Sequence, residues 1–99
     1  MFSSRVLELT KQIPKGRVST YCDIARALGK PKASRAVGNA LNKNPHLVEV
    51  PCHRVVRSDG FVGGYAAGTR KKIALLESEG IKIISGRIVD FNARWKRFD

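Results

Sequence analysis

The chain has 99 residues, a formal net charge of +11 from 19 Lys plus Arg against 8 Asp plus Glu, and a hydrophobic content of 42%. This length fits one domain and leaves no room for a large cofactor domain, and no apolar run approaches the ~18 residues of a membrane span. The basic excess points to a polyanionic partner, nucleic acid first, while the scarcity of acids sets aside the Lys/Glu-rich surface of a thermophile.

The start, MFSSRVLELTKQ, lacks the basic onset, apolar centre and small-residue cleavage site of a secretory signal, so the cytoplasm is the expected location. Cys22 and Cys52 form no CxxC or paired Cys/His spacing. No structural zinc or other metal is expected, and no cofactor; in a reducing compartment both thiols should be free.

Phe2, Val6, Leu9 and Ile13 are spaced for one helical face, and Pro14 and Gly16 stop the helix. In STYCDIARALGK, Thr20 can cap a second helix with Asp23 answering it, Tyr21, Ile24 and Leu28 share a face, and Gly29 ends it. ASRAVGNALNKN predicts a third helix through Val37, Ala40 and Leu41, stopped by Pro45. Two short helices joined by a tight turn, the second of them basic, fit a helix-turn-helix, a pattern that other small helical bundles share.

Between Asp23 and Glu49 no acid occurs, whereas Arg26, Lys30, Lys32, Arg35 and Lys43 do, which predicts a positive face. Ala33, Ser34, Ala36, Gly38 and Ala40 make the third helix narrow, suited either to close helix packing or to approaching a minor groove. TRKKIALLESE, residues 69–79, predicts a fourth helix with Ile73 and Leu76 inward, ending at Gly80. IKIISGRIVDF alternates about Ser85 and Gly86 as a hairpin. Trp95 can anchor the final segment, where Arg94, Lys96 and Arg97 add charge. The fold class read from these elements is mainly α, a small winged helix-turn-helix-like bundle with a short β-hairpin.

The chemistry lies in PCHRVV. A thiol with a pKa of about 8.5 needs a base or a positive field to become a nucleophile, and His53 adjoins Cys52. In an extended segment the two side chains would point apart, so contact requires a turn or a bridging water. Without further context Cys52 reads as a small buried apolar residue. Context is supplied by SDGFVGGYAAG after it, TYCDIARALGKPKASRAVGNALNKNP before it and LLESEG beyond. Together these resemble the O6-alkylguanine-DNA alkyltransferases, in order and without gaps from about Val18 to Gly80.

The resemblance implies a self-consuming repair protein, residues 1–99 forming the single active-site and DNA-binding domain without the additional N-terminal domain of many members. Its partner would be double-stranded DNA containing O6-alkylguanine, bound by a monomer and away from any membrane. Cys52 looks like the alkyl acceptor, His53 and Glu79 like the relay that deprotonates it through a water, and Tyr21 like the tyrosine that assists nucleotide rotation and gives a proton toward the departing guanine. Arg35 matches the finger that fills the gap in the base stack, with Ala36, Gly38, Lys32 and Arg54 as further DNA contacts. Asn44 matches the asparagine tying the helix-turn-helix to the active-site loop, and Tyr65, Val55, Leu41 and the backbone near Ser58 the guanine pocket.

Bottom-up chemistry fits: displacement at carbon needs a soft nucleophile and a proton for the departing oxygen or ring. The thioether product offers water no polarised carbonyl, so one turnover consumes the protein. Gly60, Gly63 and Gly64 suit either a loop passing close to a base or plain turns. Ala66 stands where some relatives have serine, and Cys22 is expected to be buried. Two other readings share the charge and the helices. One is an alkyltransferase-like sensor that recognises the lesion without transfer, a branch in which the acceptor cysteine is replaced, often by tryptophan. The other is a winged-helix regulator with an inert cysteine, which leaves the matches at Tyr21, Arg35, Asn44, His53 and Glu79 unexplained.

Overall fold

The computed structural model describes residues 2–44 and 49–98. In chain order the elements are α1 (Phe2–Lys11), β1 (Ser19–Thr20), α2 (Tyr21–Ala27), α3 (Ser34–Asn42), a 3-10 turn (Cys52–Arg54), β2 (Val55–Val56), α4 (Thr69–Ser78), β3 (Ile83–Ile84), β4 (Arg87–Ile88) and α5 (Phe91–Arg94). The domain is therefore mainly helical with two very short sheets. No helix among the described residues is long and apolar enough to cross a membrane. Pro45, read as the stop of the third helix, lies outside the described residues.

Helix boundaries follow local chemistry. α1 buries Val6 and also Thr10, whose hydroxyl donates to Val6 O at 2.8 Å and so satisfies itself within the helix. Thr20 caps α2 by accepting from Asp23 N at 3.0 Å. Asp23 does not complete a reciprocal capping box: its carboxylate accepts from Trp95 Nε1 and pairs with Arg26. Gly29, at φ +75°, follows the end of α2 in a conformation that side chains avoid. α3 turns Val37, Ala40 and Leu41 inward.

Two pairings organise these helices. β1 lies parallel to β2, with Ser19 opposite Val55 and Thr20 opposite Val56. Successive strand residues face opposite sides, so Val55 enters a core with Val6, Ile24, Val37 and Leu41, while Val56 enters a second with Val18, Val62, Leu76 and Ile88. The β3–β4 hairpin turns at Ser85 (φ 51°) and Gly86 (φ 79°), the double positive φ of a tight type I′ turn.

The C-terminal segment is stitched down: Val18 N donates to Arg94 O at 2.8 Å and Lys96 N to Val18 O at 2.7 Å. Trp95 stacks on Phe91 at 5.3 Å and reaches the first turn of α2 through Asp23. This long-range anchoring fixes the start of α2, which carries Tyr21. Because Thr20 is fully buried as well as capping, Thr20→Ala should cost about 1 kcal/mol and Thr20→Ser much less, read from denaturant unfolding; equal stability of Thr20→Ala and wild type would show the cap to be idle.

Candidate active site

Pro51, at φ −76° and ψ 66°, leads the chain into the 3-10 turn Cys52–Arg54. This turn resolves the geometric difficulty of adjacent cysteine and histidine: both are drawn inward, Cys52 4% and His53 1% exposed. Asn44 Nδ2 donates to Cys52 Sγ at 3.0 Å, and the thiol lies 3.9 Å from Leu41 O. Burial pushes the Cys52 thiol up, a shift only partly opposed by the Asn44 hydrogen bond and the Lys72 charge.

Behind His53 stands Glu79. Arg54 grips both of its oxygens, Nε to Oε1 at 3.0 Å and Nη2 to Oε2 at 2.6 Å, and fixes its own position by donating from Nη1 to Ile13 O at 2.8 Å. Burial alone would raise Glu79, but the hydrogen bonds and charges of Arg54 and His53 outweigh it and hold the carboxyl below its ordinary range. His53 Nε2 lies 3.0 Å from Glu79 Oε2. An ionised carboxylate can only accept, so Nε2 carries the ring proton and Nδ1 keeps its lone pair. Burial lowers the His53 pKa in spite of Glu79, so the ring is neutral at pH 7. Nδ1 is buried and makes no hydrogen bond among the described residues.

A second cluster joins the phenol of Tyr21. Tyr21 Oη donates to Gly64 O at 3.4 Å and accepts from Lys72 Nζ at 3.4 Å. Burial, and then the charge of Cys52, raise the Tyr21 pKa, which keeps the phenol protonated as a donor. Lys72 is fully buried, with Nζ bonded to Val55 O at 2.6 Å and Gly64 O at 3.0 Å. Burial lowers its pKa to about 7. Gly63 has φ +75°, and a Cβ there would sit 3.3 Å from Arg57 Cγ and 3.4 Å from Tyr21 Oη. Only glycine lets the loop run against the tyrosine. Tyr65 is half-buried and presents its ring edge-on to His53, centroids 6.4 Å apart.

An open cleft of about 730 Å³ runs beside this cluster, lined by Tyr21, Cys22, Arg35, Gly38, Ser58 and Gly63 among others. Lys32, Arg35 and Ala36 are exposed. Gly38 faces the Tyr21 ring, where a Cβ would make ordinary contact at 3.9 Å. Cys52 does not line the cleft.

Three expectations change. Arg54 is spent on Glu79 and Ile13, so its fork is not displayed as a DNA contact. Val55 has its side chain wholly in the core and presents only its carbonyl, already taken by Lys72. Cys22 is half-buried at the cleft, on the side of α2 near Ser34 and Arg35 rather than on the core face of Ile24 and Ala25. Lys72 was missed from sequence. Its signal was a lysine four residues before Leu76, on the apolar stripe of α4.

The turn thus sets a buried thiol next in sequence to a neutral imidazole that is backed by a clamped carboxylate, on a basic helical scaffold. Residues 1–81 match the family described as 6-O-methylguanine DNA methyltransferase, DNA binding domain, and the chain belongs to that family. Among curated relatives, a bifunctional methyltransferase/endonuclease of Picrophilus torridus is 45% identical over 97% of this chain and 32% of its own length. A methylated-DNA–protein-cysteine methyltransferase of Methanosarcina acetivorans is 49% identical over 80% of this chain and 51% of its own. The chain thus spans about a third to a half of the length of these relatives. Among solved structures, Mycobacterium tuberculosis OGT in complex with DNA aligns with TM-score 0.77 at 44% identity, over 80% of this chain and 48% of that one. S. pombe Atl1, in complex with damaged DNA containing O6-carboxymethylguanine, aligns with TM-score 0.87 at 32% identity, over 97% and 94%.

Because the Glu79 carboxyl sits below its ordinary pKa of 4.5, its stabilisation is complete above 4.5 and is lost as pH falls through the lower folded value. Glu79→Gln should therefore lower the melting temperature at pH 7, with the gap to wild type closing below about pH 4.5. A gap independent of pH would disconnect Glu79 from the Arg54 and His53 contacts.

Proposed function

We propose that the chain transfers an alkyl group from O6 of guanine in DNA to Cys52, irreversibly and once per molecule. The observation that carries this reading is the bare, buried lone pair of His53 Nδ1 on the residue next to the thiol, with Glu79 backing the same ring. A thiol that burial keeps protonated needs such a base, reached through one water. As the S–C bond forms, the C–O6 bond breaks and its electron pair leaves with the guanine. The Cys52 proton passes to His53, whose positive charge Glu79 stabilises. Tyr21 gives its proton to the departing oxygen or ring, and the two protein groups then re-equilibrate with solvent.

The target atom is inside the duplex, so the nucleotide must be turned out at a few kcal/mol of unstacking. In this reading α2 and α3 act as the helix-turn-helix and the β3–β4 hairpin as the wing. Exposed Arg35, on the first turn of α3 at the cleft, enters the stack. Lys30, Lys32 and Lys43, all exposed, give sequence-independent attraction to phosphate. Tyr65, Ser58 and the loop carrying Gly63 and Gly64 form the guanine side of the pocket.

A second reading, a lesion sensor without transfer, draws support from the near-complete overlap with Atl1. The retained thiol with its base argues for transfer. Peptide mass after mixing with an oligonucleotide carrying O6-methylguanine decides: one added methylene on the Cys52 peptide and no further turnover supports transfer, while tight lesion binding without mass gain supports the sensor.

Cys52→Ala should abolish transfer and leave duplex affinity within about twofold, since the thiol touches no phosphate; methyl transfer by this variant would refute the acceptor assignment. Arg35→Ala should slow reaction on duplex DNA by about tenfold, the equivalent of ~1.4 kcal/mol of the unstacking cost, and barely affect the free base. Equal losses on both substrates would remove the finger role.

A further inference from the structure

Away from the cleft, two recesses of about 530 and 310 Å³ share Gln12, Lys96 and Arg97 and so form one groove among the end of α1, α2 and the C-terminal segment. Arg17 and Trp95 line its larger part, Ala27 and Phe98 its smaller, and no acidic side chain lines either among the described residues. Its cations are held in place by rings and backbone. The Arg97 guanidinium lies 4.1 Å from the Trp95 ring centroid and Lys96 Nζ 5.3 Å from that of Phe98. Arg17 donates from Nε to Arg94 O at 3.2 Å and from Nη2 to Trp95 O at 2.9 Å, which fixes a third charge against the same segment. Trp95 is stacked on Phe91 as well, so the groove offers positioned charge and not an open ring on which a base could stack.

The course of α2 decides which anion reaches it. Tyr21 and Cys22 line the cleft, Asp23 in the same turn accepts from Trp95 Nε1, and Ala27, four residues on, lines the groove. Cleft and groove thus flank one helix, about 10–12 Å across, with exposed Arg26 on the ridge between them. A duplex seated at the cleft carries a phosphate charge every ~1.7 Å of its axis and need only cross that helix to meet the groove.

We propose that this groove is a second phosphate-binding surface, which takes the backbone of the same duplex beyond the base pairs seated at the cleft. The proposal rests on the reading of the cleft as the lesion site. Lys96, Arg97 and Arg17, with Arg26 on the way, neutralise phosphates and read no bases. Their contribution therefore shows as released counterions, and only where the DNA runs over α2.

The test is the salt dependence of binding to a duplex of about 20 base pairs with central O6-methylguanine, in a Cys52→Ala background so that no alkyl group leaves. At ~0.9 of log–log slope per phosphate, Lys96→Gln with Arg97→Gln should lower the slope by about two, and the affinity gap to the parent should narrow about tenfold between 50 and 200 mM salt. Lys96→Gln alone, which leaves the Trp95 ring covered, should lower it by about one, and Arg97→Lys should keep it. With the lesion near one end or the other of the duplex, the double variant should lose slope on one placement only. An unchanged slope, or equal loss on both placements, would overturn the proposal, the second by showing diffuse attraction instead of contact. Loss of binding to a ten-glutamate peptide with the DNA slope unchanged would also overturn it and assign the groove to an acidic protein segment. If the parent shows no preference for the lesion yet its slope falls as described, the cleft reading falls while the phosphate contacts of the groove stand. A normal lesion preference with an unchanged slope sinks the groove alone.

Discussion

The two-pronged contact between Arg54 and Glu79 fixes the rest of the site. Arg54 is itself held by the Ile13 carbonyl, two residues beyond α1, so a backbone acceptor after the first helix helps decide where a carboxylate sits at the end of α4. That carboxylate decides which nitrogen of His53 holds the ring proton, because an ionised acceptor admits only a donor. The basic face of the imidazole follows without any further contact.

Charge in this site is arranged by removing water. The sulfur, the imidazole and the Lys72 ammonium are all buried, and in each case burial favours the neutral form. The thiol and the imidazole therefore rest neutral, while the Arg54–Glu79 pair keeps its opposite charges. The Asn44 amide, two residues beyond the end of α3, adds a fixed dipole at the sulfur, while α3 itself borders the cleft.

The helices were readable because each carries a periodic apolar face and a recognisable end: Thr20 before α2, Gly29 after it, Gly80 after α4. The hairpin was readable from Ser85 and Gly86. The β1–β2 pair was not, since two-residue strands far apart in the chain leave no periodic trace, and their pairing depends on the tertiary fold. Cys52, His53 and Glu79 emerged as a set only through the family motif; spacing alone could not say that a glutamate in a distant helix end meets this histidine. Arg54 and Lys72 show the limit from the other side. Both looked like surface charge in a chain rich in it, and only the partners in space, Glu79 for one and three oxygens for the other, reveal that neither charge belongs to the surface.

Trp95, the only tryptophan of the chain, donates its indole N–H to Asp23, stacks on Phe91 and lies under the Arg97 guanidinium at 4.1 Å. The protein therefore carries its single indole fluorophore, which can be excited apart from its two tyrosines, at the seam between the C-terminal segment and the first turn of α2. Its emission reports on that seam, where a carboxylate, a stacked ring and a guanidinium surround the indole, rather than on the thiol. Loosening of the helix that carries Tyr21 would change the light emitted even with the distant core intact, giving an optical view of the edge of the cleft that needs no added label.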